Sequence, residues 1–424
     1  MRDTMKGFRR LITYGEALKI MFENISIREI ESEEVELLDS LGRYASKDIV
    51  ARYDIPPFDR SAVDGYAVRS SETYGASETN PVELRLIGRI TAGEKPSKIP
   101  EIGAGEAMKI FTGAPLPRGA DAVVMAEHVI EREDSILVLK PVASYQNVSR
   151  AGEDFRRGDI IVRRGSRIKP WHIATLAAQN ITRVPVFRRL RIGVLSTGSE
   201  VIEPGGSYDP ESGFVLNSSK PLLLALARDS GCEPIDLGTV PDDRSIIMEK
   251  ILEGLEKVDI MITTGGSSIG EEDLVPNVVS SLEDSRIVFH GVRIRPGRTI
   301  GLAMVRGKPL FMFSGFPVAS LVGFQFFVQP YILKAYNAYE EPQPMVRGRI
   351  VRRIANPHST RSFVRVRVFK KNGEILVEPL AITGSGVLST LTKANGILVI
   401  PEDLEGFDEG EYVEVLLIDR IYEG

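Results

Sequence analysis

Residues 263–275 read TTGGSSIGEEDLV and follow the apolar run VDIMI. A strand that runs into glycines and then a helix is a phosphate-binding arrangement, because backbone N–H groups at a helix N-terminus face an anion. Gly265 and Gly266 fit that role. The loop has no lysine, which excludes a P-loop nucleoside triphosphatase, and it carries Glu271, Glu272 and Asp273. Further acids follow two other apolar runs: Glu200 after RIGVLS, and Asp242 and Asp243 after PIDLG. Carboxylates gathered on one rim repel each other unless a cation lies among them. Mg²⁺ suits such a rim, since it takes a few carboxylates together with substrate phosphate oxygens. An acid at a helix N-terminus also answers the helix dipole, so each taken singly has a purely local explanation.

Positive charge comes from FHGVRIRPGR at 289–298. Arg293 and Arg295 share a face if this stretch is a strand, and Arg298 follows a Pro-Gly turn. Guanidinium groups clamp phosphates and oxyanions in bidentate fashion. Acids, glycines and arginines together describe metal-assisted chemistry on a phosphate ester or pyrophosphate. Two polar stretches lie earlier in the chain. PPFDRSAVDGYAVR holds Asp59, Ser61 and Asp64, and FTGAPLPRGADAVVMAEHV holds Thr112, Asp121 and Glu127. Turn formation accounts for many of their Pro and Gly residues.

The elements that must position these groups are legible from periodicity. Thr13 and Glu16 form a capping box before the helical run EALKIMFENI. ESEEVELLDSLGRYAS, ending at Gly42, has apolar residues at helical spacing. From about residue 48 short strands separated by Gly/Pro turns predict an all-β insert. DIIVRRGSRIKPWHIATLAAQNI reads as strand then helix and pairs with the N-terminus to close an elongated module. From 190 onward strands and helices alternate, with Ser219 as an N-cap, which predicts an α/β domain with a mostly parallel sheet. Ligands in such sheets bind beyond the carboxyl ends of the strands. The apolar run 318–333 contains Gln325, Gln329 and Pro330 and is shorter than a membrane span, so it reads as a buried helix. After the linker EEPQPM the text is β again, and FVRVRVF predicts a strand with one buried and one wet face in a small barrel. The resulting division is 1–47 with 146–186 as the elongated linker domain, 48–145 as the β-rich insert, 187–340 as the α/β domain and 345–424 as the barrel.

Composition narrows the function further. The chain has 424 residues and a net charge of −5, which argues against a nucleic-acid binder. One cysteine, Cys232, rules out a disulfide framework within the chain and a cysteine-based zinc site, and the four histidines are not spaced as metal ligands. Any metal is a hard one held by carboxylates. No GxGxxG opens the α/β unit, which argues against a dinucleotide oxidoreductase. The N-terminus has no apolar signal region, so a cytoplasmic location without membrane partners is expected.

Taken together, PPFDRSAVDGYAVR, FTGAPLPRGADAVVMAE, NVSRAGED, STGSEV, TTGGSSIGEED and IRPGR resemble, in order, the motifs of the molybdopterin molybdenumtransferase family of MoeA proteins and gephyrin E domains. The resemblance runs from about residue 9 to 420. It implies a MogA-like three-layer α/β domain, a β-rich inserted domain, an elongated linker domain and a C-terminal β-barrel, assembled as a homodimer whose active site is shared between subunits. It implies insertion of molybdate or tungstate into adenylylated molybdopterin, with Mg²⁺ and release of AMP. By motif, Asp64 and Thr112 would face the active site, and Glu200, Asp242 and Asp273 would form the acidic rim for metal and nucleotide. Gly265, Gly266, Ser267, Arg150, Arg293, Arg295, Arg298, Ser314 and Gly315 would contact substrate. In the barrel, Arg361, Arg365 and Ser385 would hold its anions. Molybdopterin adenylyltransferase and molybdoenzyme or tungstoenzyme acceptors are the implied partners. Three positions depart from the family pattern: Phe316 replaces Asn in SGFPVAS, Ser149 stands where Arg is common, and Ser267 replaces Val. Arg295 and Arg298 stand where lysines are usual. Two other readings of the same residues are an adenylyl transfer from ATP to molybdopterin, and a pterin-binding scaffold without turnover.

Overall fold

The computed structural model describes residues 11–25, 29–266, 274–338, 343–381 and 384–423. The first helix, Tyr14–Asn24, begins with the expected box: Glu16 N–H donates to the Thr13 hydroxyl oxygen, and the Glu16 carboxylate accepts from Thr13 N–H. The helical reading of the next segment is corrected. Ser32–Glu36 is a strand, followed by a 3₁₀ turn at Leu38–Ser40. The strand pairs antiparallel with Arg183–Phe187. Glu36 meets Arg183 at 2.7 Å, Glu33 pairs with Arg43, and Val35 packs beside Val184 and Val186. These cross-strand contacts outweigh a weak local helix preference.

The β-rich part is one six-stranded sheet in the order Ala122–Met125, Gly65–Val68, Glu106–Ile110, Val82–Ile90, Ser135–Val138 and Val129–Glu131. Its two faces bury separate clusters, one around Val68 and Val124 and the other around Ala67 and Val123.

The α/β sheet runs Glu233–Val240, Arg191–Thr197, Ile260–Thr264, Lys308–Phe313, Gly301–Val305 and Ser285–His290. The first four are parallel, and Gly301–Val305 runs antiparallel to both its neighbours, Lys308–Phe313 and Ser285–His290. Side chains alternate between faces. Ile260, Ile262, Phe311 and Phe313 enter one core, shared with Leu223 and Val322 from helices on that side. Met261, Leu310 and Met312 enter the other, shared with Ile247, Ile251 and Val278. The result is three layers.

The apolar run forms one continuous helix, 317–335, long and apolar enough by length and composition to span a membrane, yet 61% of it is buried inside the fold. It carries a π turn at Phe324–Val328. Pro330 has no N–H to give the Phe326 carbonyl, and the Tyr14 hydroxyl donates to that oxygen instead, at 3.3 Å. The sequence break thus becomes the anchor of the first helix.

The C-terminal part is a closed barrel. Arg361–Lys371 pairs with Glu374–Ala381, which pairs with Met345–Ile350, then Tyr412–Leu417, then Gly396–Ile400, which returns to Arg361–Lys371. The expected wet face of FVRVRVF is corrected at its start. Phe363 and Arg365 are buried along with Val364 and Val366. The outside of the barrel packs there on the α/β domain, where the Phe363 and Phe326 rings lie 4.1 Å apart. A short strand, Ile294–Arg295, joins the barrel edge beside Arg361–Ser362 and carries the arginine segment to that junction.

Candidate active site

The four parallel strands end at Thr197, Val240, Thr264 and Phe313. The loops after Thr197, Thr264 and Phe313 form one wall of a cleft of about 1540 Å³, and barrel residues 357–360, Arg365 and 384–386 form the other. The cleft brings together Glu200, Gly265, Gly266, Arg293, Arg295, Arg298, Ser314, Gly315, Arg365 and Ser385.

At its base the chain requires glycine. Gly265 and Gly266 have φ of +97° and +59°. A Cβ on Gly265 would lie 2.0 Å from the Thr197 carbonyl oxygen. Gly315 closes on the same point, since a Cβ there would stand 3.6 Å from the Gly265 Cα. The Thr264 hydroxyl donates to the Ser314 carbonyl at 3.1 Å and fixes the two loops. The Thr197 hydroxyl, also lining the cleft, is buried and has no partner among the described residues. Backbone without side chains is what a phosphate needs for close approach.

The acids separate into different roles. Glu200 lines the cleft. Asp242 accepts from Ser199 N–H at 3.1 Å, and its own N–H donates to the Ser199 hydroxyl at 3.0 Å, so it fixes the turn that presents Glu200. Asp243 caps the helix Arg244–Lys257 through Ser245 and Ile246 N–H groups. Asp273 and Ser267, and with them Glu271 and Glu272, lie outside the described residues. Among the described residues no three His, Cys, Asp or Glu side chains gather as a metal site. Asp242 does not itself line the cleft, so Glu200 is the one described carboxylate of the expected acidic rim that does, with Asp242 on the adjacent strand end; Mg²⁺ needs few protein carboxylates when phosphate oxygens complete its shell.

The arginines differ in their partners. Arg293 is tied down, its Nε donating to the Leu11 carbonyl at 3.3 Å. Arg365 is 2% exposed. Among the described residues its guanidinium donates only to neutral acceptors: the Thr390 hydroxyl at 3.3 Å and the Phe363 and Gly384 carbonyls at 3.2 and 3.5 Å. Burial lowers its pKa, and the Arg295 charge lowers it further. Arg361 is not brought to the cleft. It pairs with Glu402 at 2.9 Å and lies over the Tyr14 ring at 4.9 Å, which is a structural role at the domain junction. Ser385 lines the cleft, and its carbonyl accepts the Val318 N–H at 3.1 Å.

Asp64, Thr112 and Arg150 do not line this cleft in the same chain. Asp64 Oδ1 accepts both the hydroxyl and the N–H of Thr112, at 2.6 and 2.7 Å. These bonds, the hydroxyl's first, hold its carboxyl below its ordinary pKa. Arg150 lies over the Tyr145 ring at 4.2 Å.

Sequence reasoning passed over Asn217 and Lys220. Asn217 lines the cleft, and its Nδ2 donates to Glu203 and to the Thr239 hydroxyl at 3.1 and 3.2 Å. Lys220 has a buried side chain and meets Glu203 at 3.0 Å and Asp236 at 2.8 Å. Burial would raise the Glu203 pKa, but bonds from Thr239, Lys220 and Asn217 outweigh it and lower the value. The Ser219 cap reading is corrected too. Ser218 is the N-cap, Asn217 Oδ1 accepts the Lys220 N–H, and the Ser219 hydroxyl donates to the Gly315 carbonyl at 2.7 Å. The only signal for this was the density of small polar residues in LNSSK.

Fold and cleft define a multidomain α/β protein with an arginine- and glycine-lined cleft at its parallel strand ends, under a C-terminal barrel. Residues 12–179 match the MoeA N-terminal region (domain I and II), 193–334 the probable molybdopterin binding domain and 347–418 the MoeA C-terminal region (domain IV). A putative molybdopterin biosynthesis protein of Methanocaldococcus jannaschii is 38% identical over 98% of this chain and 100% of its own. A molybdopterin molybdenumtransferase of Bacillus subtilis is 35% identical over 92% and 90%. A crystal structure of a molybdopterin biosynthesis MoeA protein from Pyrococcus horikoshii OT3 superposes with a TM-score of 0.82 at 36% identity, covering 96% and 100%. The chain belongs to the MoeA family.

Proposed function

We propose that this transferase of molybdenum cofactor biosynthesis inserts molybdate or tungstate into adenylylated molybdopterin and releases AMP. The observation that carries the reading is Arg365, a buried cation beside Arg295 with neutral hydrogen-bond acceptors, facing a cleft whose other wall is the glycine corner. A charge so placed is costly until an anion arrives. Arg295, Arg298, Arg365 and Ser385 would take the oxyanion and substrate phosphate. Gly265 and Gly266 admit a phosphate to backbone N–H groups, and Arg293 is held as part of the same wall. Glu200 and Asp242, with Asp273, would hold Mg²⁺. When bound, the metal supplies positive charge to the pyrophosphate oxygens. No side chain is assigned as general base, because the oxyanion carries its own nucleophilic oxygen.

Asp64, Thr112 and Arg150 would enter the cleft of a second subunit in a homodimer. That arrangement gives the Asp64–Thr112 pair a role that its own chain does not offer. The setting would be cytoplasmic, between a molybdopterin adenylyltransferase and acceptor enzymes. The test is incubation with adenylylated molybdopterin and Mg²⁺, with molybdate and tungstate side by side, reading AMP by chromatography. AMP release that depends on either oxyanion supports the proposal, and tight ligand binding without release under both overturns it.

A further inference from the structure

Phe316 occupies the N-cap of the helix Pro317–Gly323, and its side chain makes no capping bond. Ser, Thr, Asp or Asn there would satisfy a helix N–H, so phenylalanine forfeits that stabilisation. It gains no core packing in return, because it is 55% exposed while lining the cleft. Part of the ring rests on the barrel: a Cβ added to Gly386 would meet ring carbons at 3.2 and 3.4 Å. Glycine lets that loop lie flush against the ring, and a larger residue would push the two apart by a few tenths of an ångström. The loop is also pinned to the same helix through the Ser385–Val318 hydrogen bond.

Position supplies the rest of the argument. Phe316 follows Gly315, which abuts Gly265, and successive Cα atoms are about 3.8 Å apart. An aromatic ring therefore stands one residue from the phosphate corner. Val215, Leu216 and Leu388, each roughly half-exposed, line the same cleft. An apolar flat wall beside an anion corner fits a ligand that joins a flat heterocycle to a phosphate.

We propose that Phe316 is the stacking platform for the flat heterocycle of the bound substrate, its pterin or its adenine. This rests on the substrate class proposed above. The test measures binding of AMP and of a 6-alkylpterin monophosphate to the full chain, wild type against Phe316→Ala, Phe316→Leu and Phe316→Trp. The leucine variant keeps an apolar contact with Gly386 but cannot stack. Thermal melting confirms that each variant is folded. Stacking on an aromatic side chain gives an expected loss of roughly tenfold or more in affinity for one of the two ligands in the Ala and Leu variants. The Trp variant, made with Trp171→Phe, retains affinity, and its emission is quenched by the same ligand. The ligand that is lost identifies which ring stacks. If wild type binds both ligands and Phe316→Leu binds both equally well, stacking is overturned while the proposed function stands. If wild type binds neither, the substrate reading fails and this inference fails with it.

Discussion

Arg365 of the barrel and Arg295 of the α/β domain line one cleft, and the charge of Arg295 adds to burial in lowering the Arg365 pKa. Two cations converging across a domain junction give the proposed anion site a charge that neither domain supplies alone. Replacing a buried unpaired charge by an apolar side chain of similar length is commonly neutral or stabilising. Arg365→Met is therefore expected to melt at or above the wild-type temperature while losing AMP release by about a hundredfold, on the order of 3 kcal/mol. Calorimetry and the AMP assay on one preparation check both halves.

Gly265→Ala should act differently. Its Cβ would collide with the Thr197 carbonyl, and φ of +97° is strained for alanine. The expected outcome is a stability loss of about 1–3 kcal/mol together with loss of activity, read by urea unfolding and AMP release.

The Asp64–Thr112 pair tests whether the site is shared. In the proposed homodimer, the Asp64→Asn and Arg365→Met variants should each be inactive. Mixed and re-equilibrated, they should regain part of the wild-type activity, because heterodimers restore one intact site. No recovery, with heterodimers demonstrated by mass, would place both residues in the same chain's site. The pH profile gives a second reading. Thr112 bonds lower the Asp64 pKa, so Thr112→Val should raise it toward the ordinary carboxylate value. Any acid limb of the activity profile that reports Asp64 should move to higher pH.

Asp259 couples pH to stability. Burial raises its pKa, but two bonds from Arg188 at 2.7 and 2.9 Å, the Arg191 N–H and both charges outweigh burial and lower it. The folded value lies below the unfolded one, near 3.9. Ionised Asp259 thus adds stability above the unfolded value, and this is lost as pH falls through the folded value. Asp259→Asn should cost about 1–3 kcal/mol at neutral pH and flatten the acid branch of stability against pH.

Much of this arrangement was legible because local signals agreed with tertiary demands. Continuous Val/Ile/Leu strands announced the parallel sheet, and Gly265, Gly266 and the 293–298 arginines announced the cleft. What was hidden depended on distant partners. Ser32–Glu36 became a strand because Arg183–Phe187 lies beside it, and Phe363 and Arg365 lost their wet face to a neighbouring domain. Arg361 looked equivalent to Arg365 until Glu402 and Tyr14 claimed it. Lys220 carried no signal in the sequence, and only its burial between Glu203 and Asp236 gives it a part in shaping the rim.

The most direct test of the account is AMP release from adenylylated molybdopterin in Mg²⁺, with and without molybdate or tungstate, by wild type and Asp273→Ala. The expected result is oxyanion-dependent AMP from wild type and little from the variant. No AMP from wild type under either oxyanion, or full activity in Asp273→Ala, would contradict it.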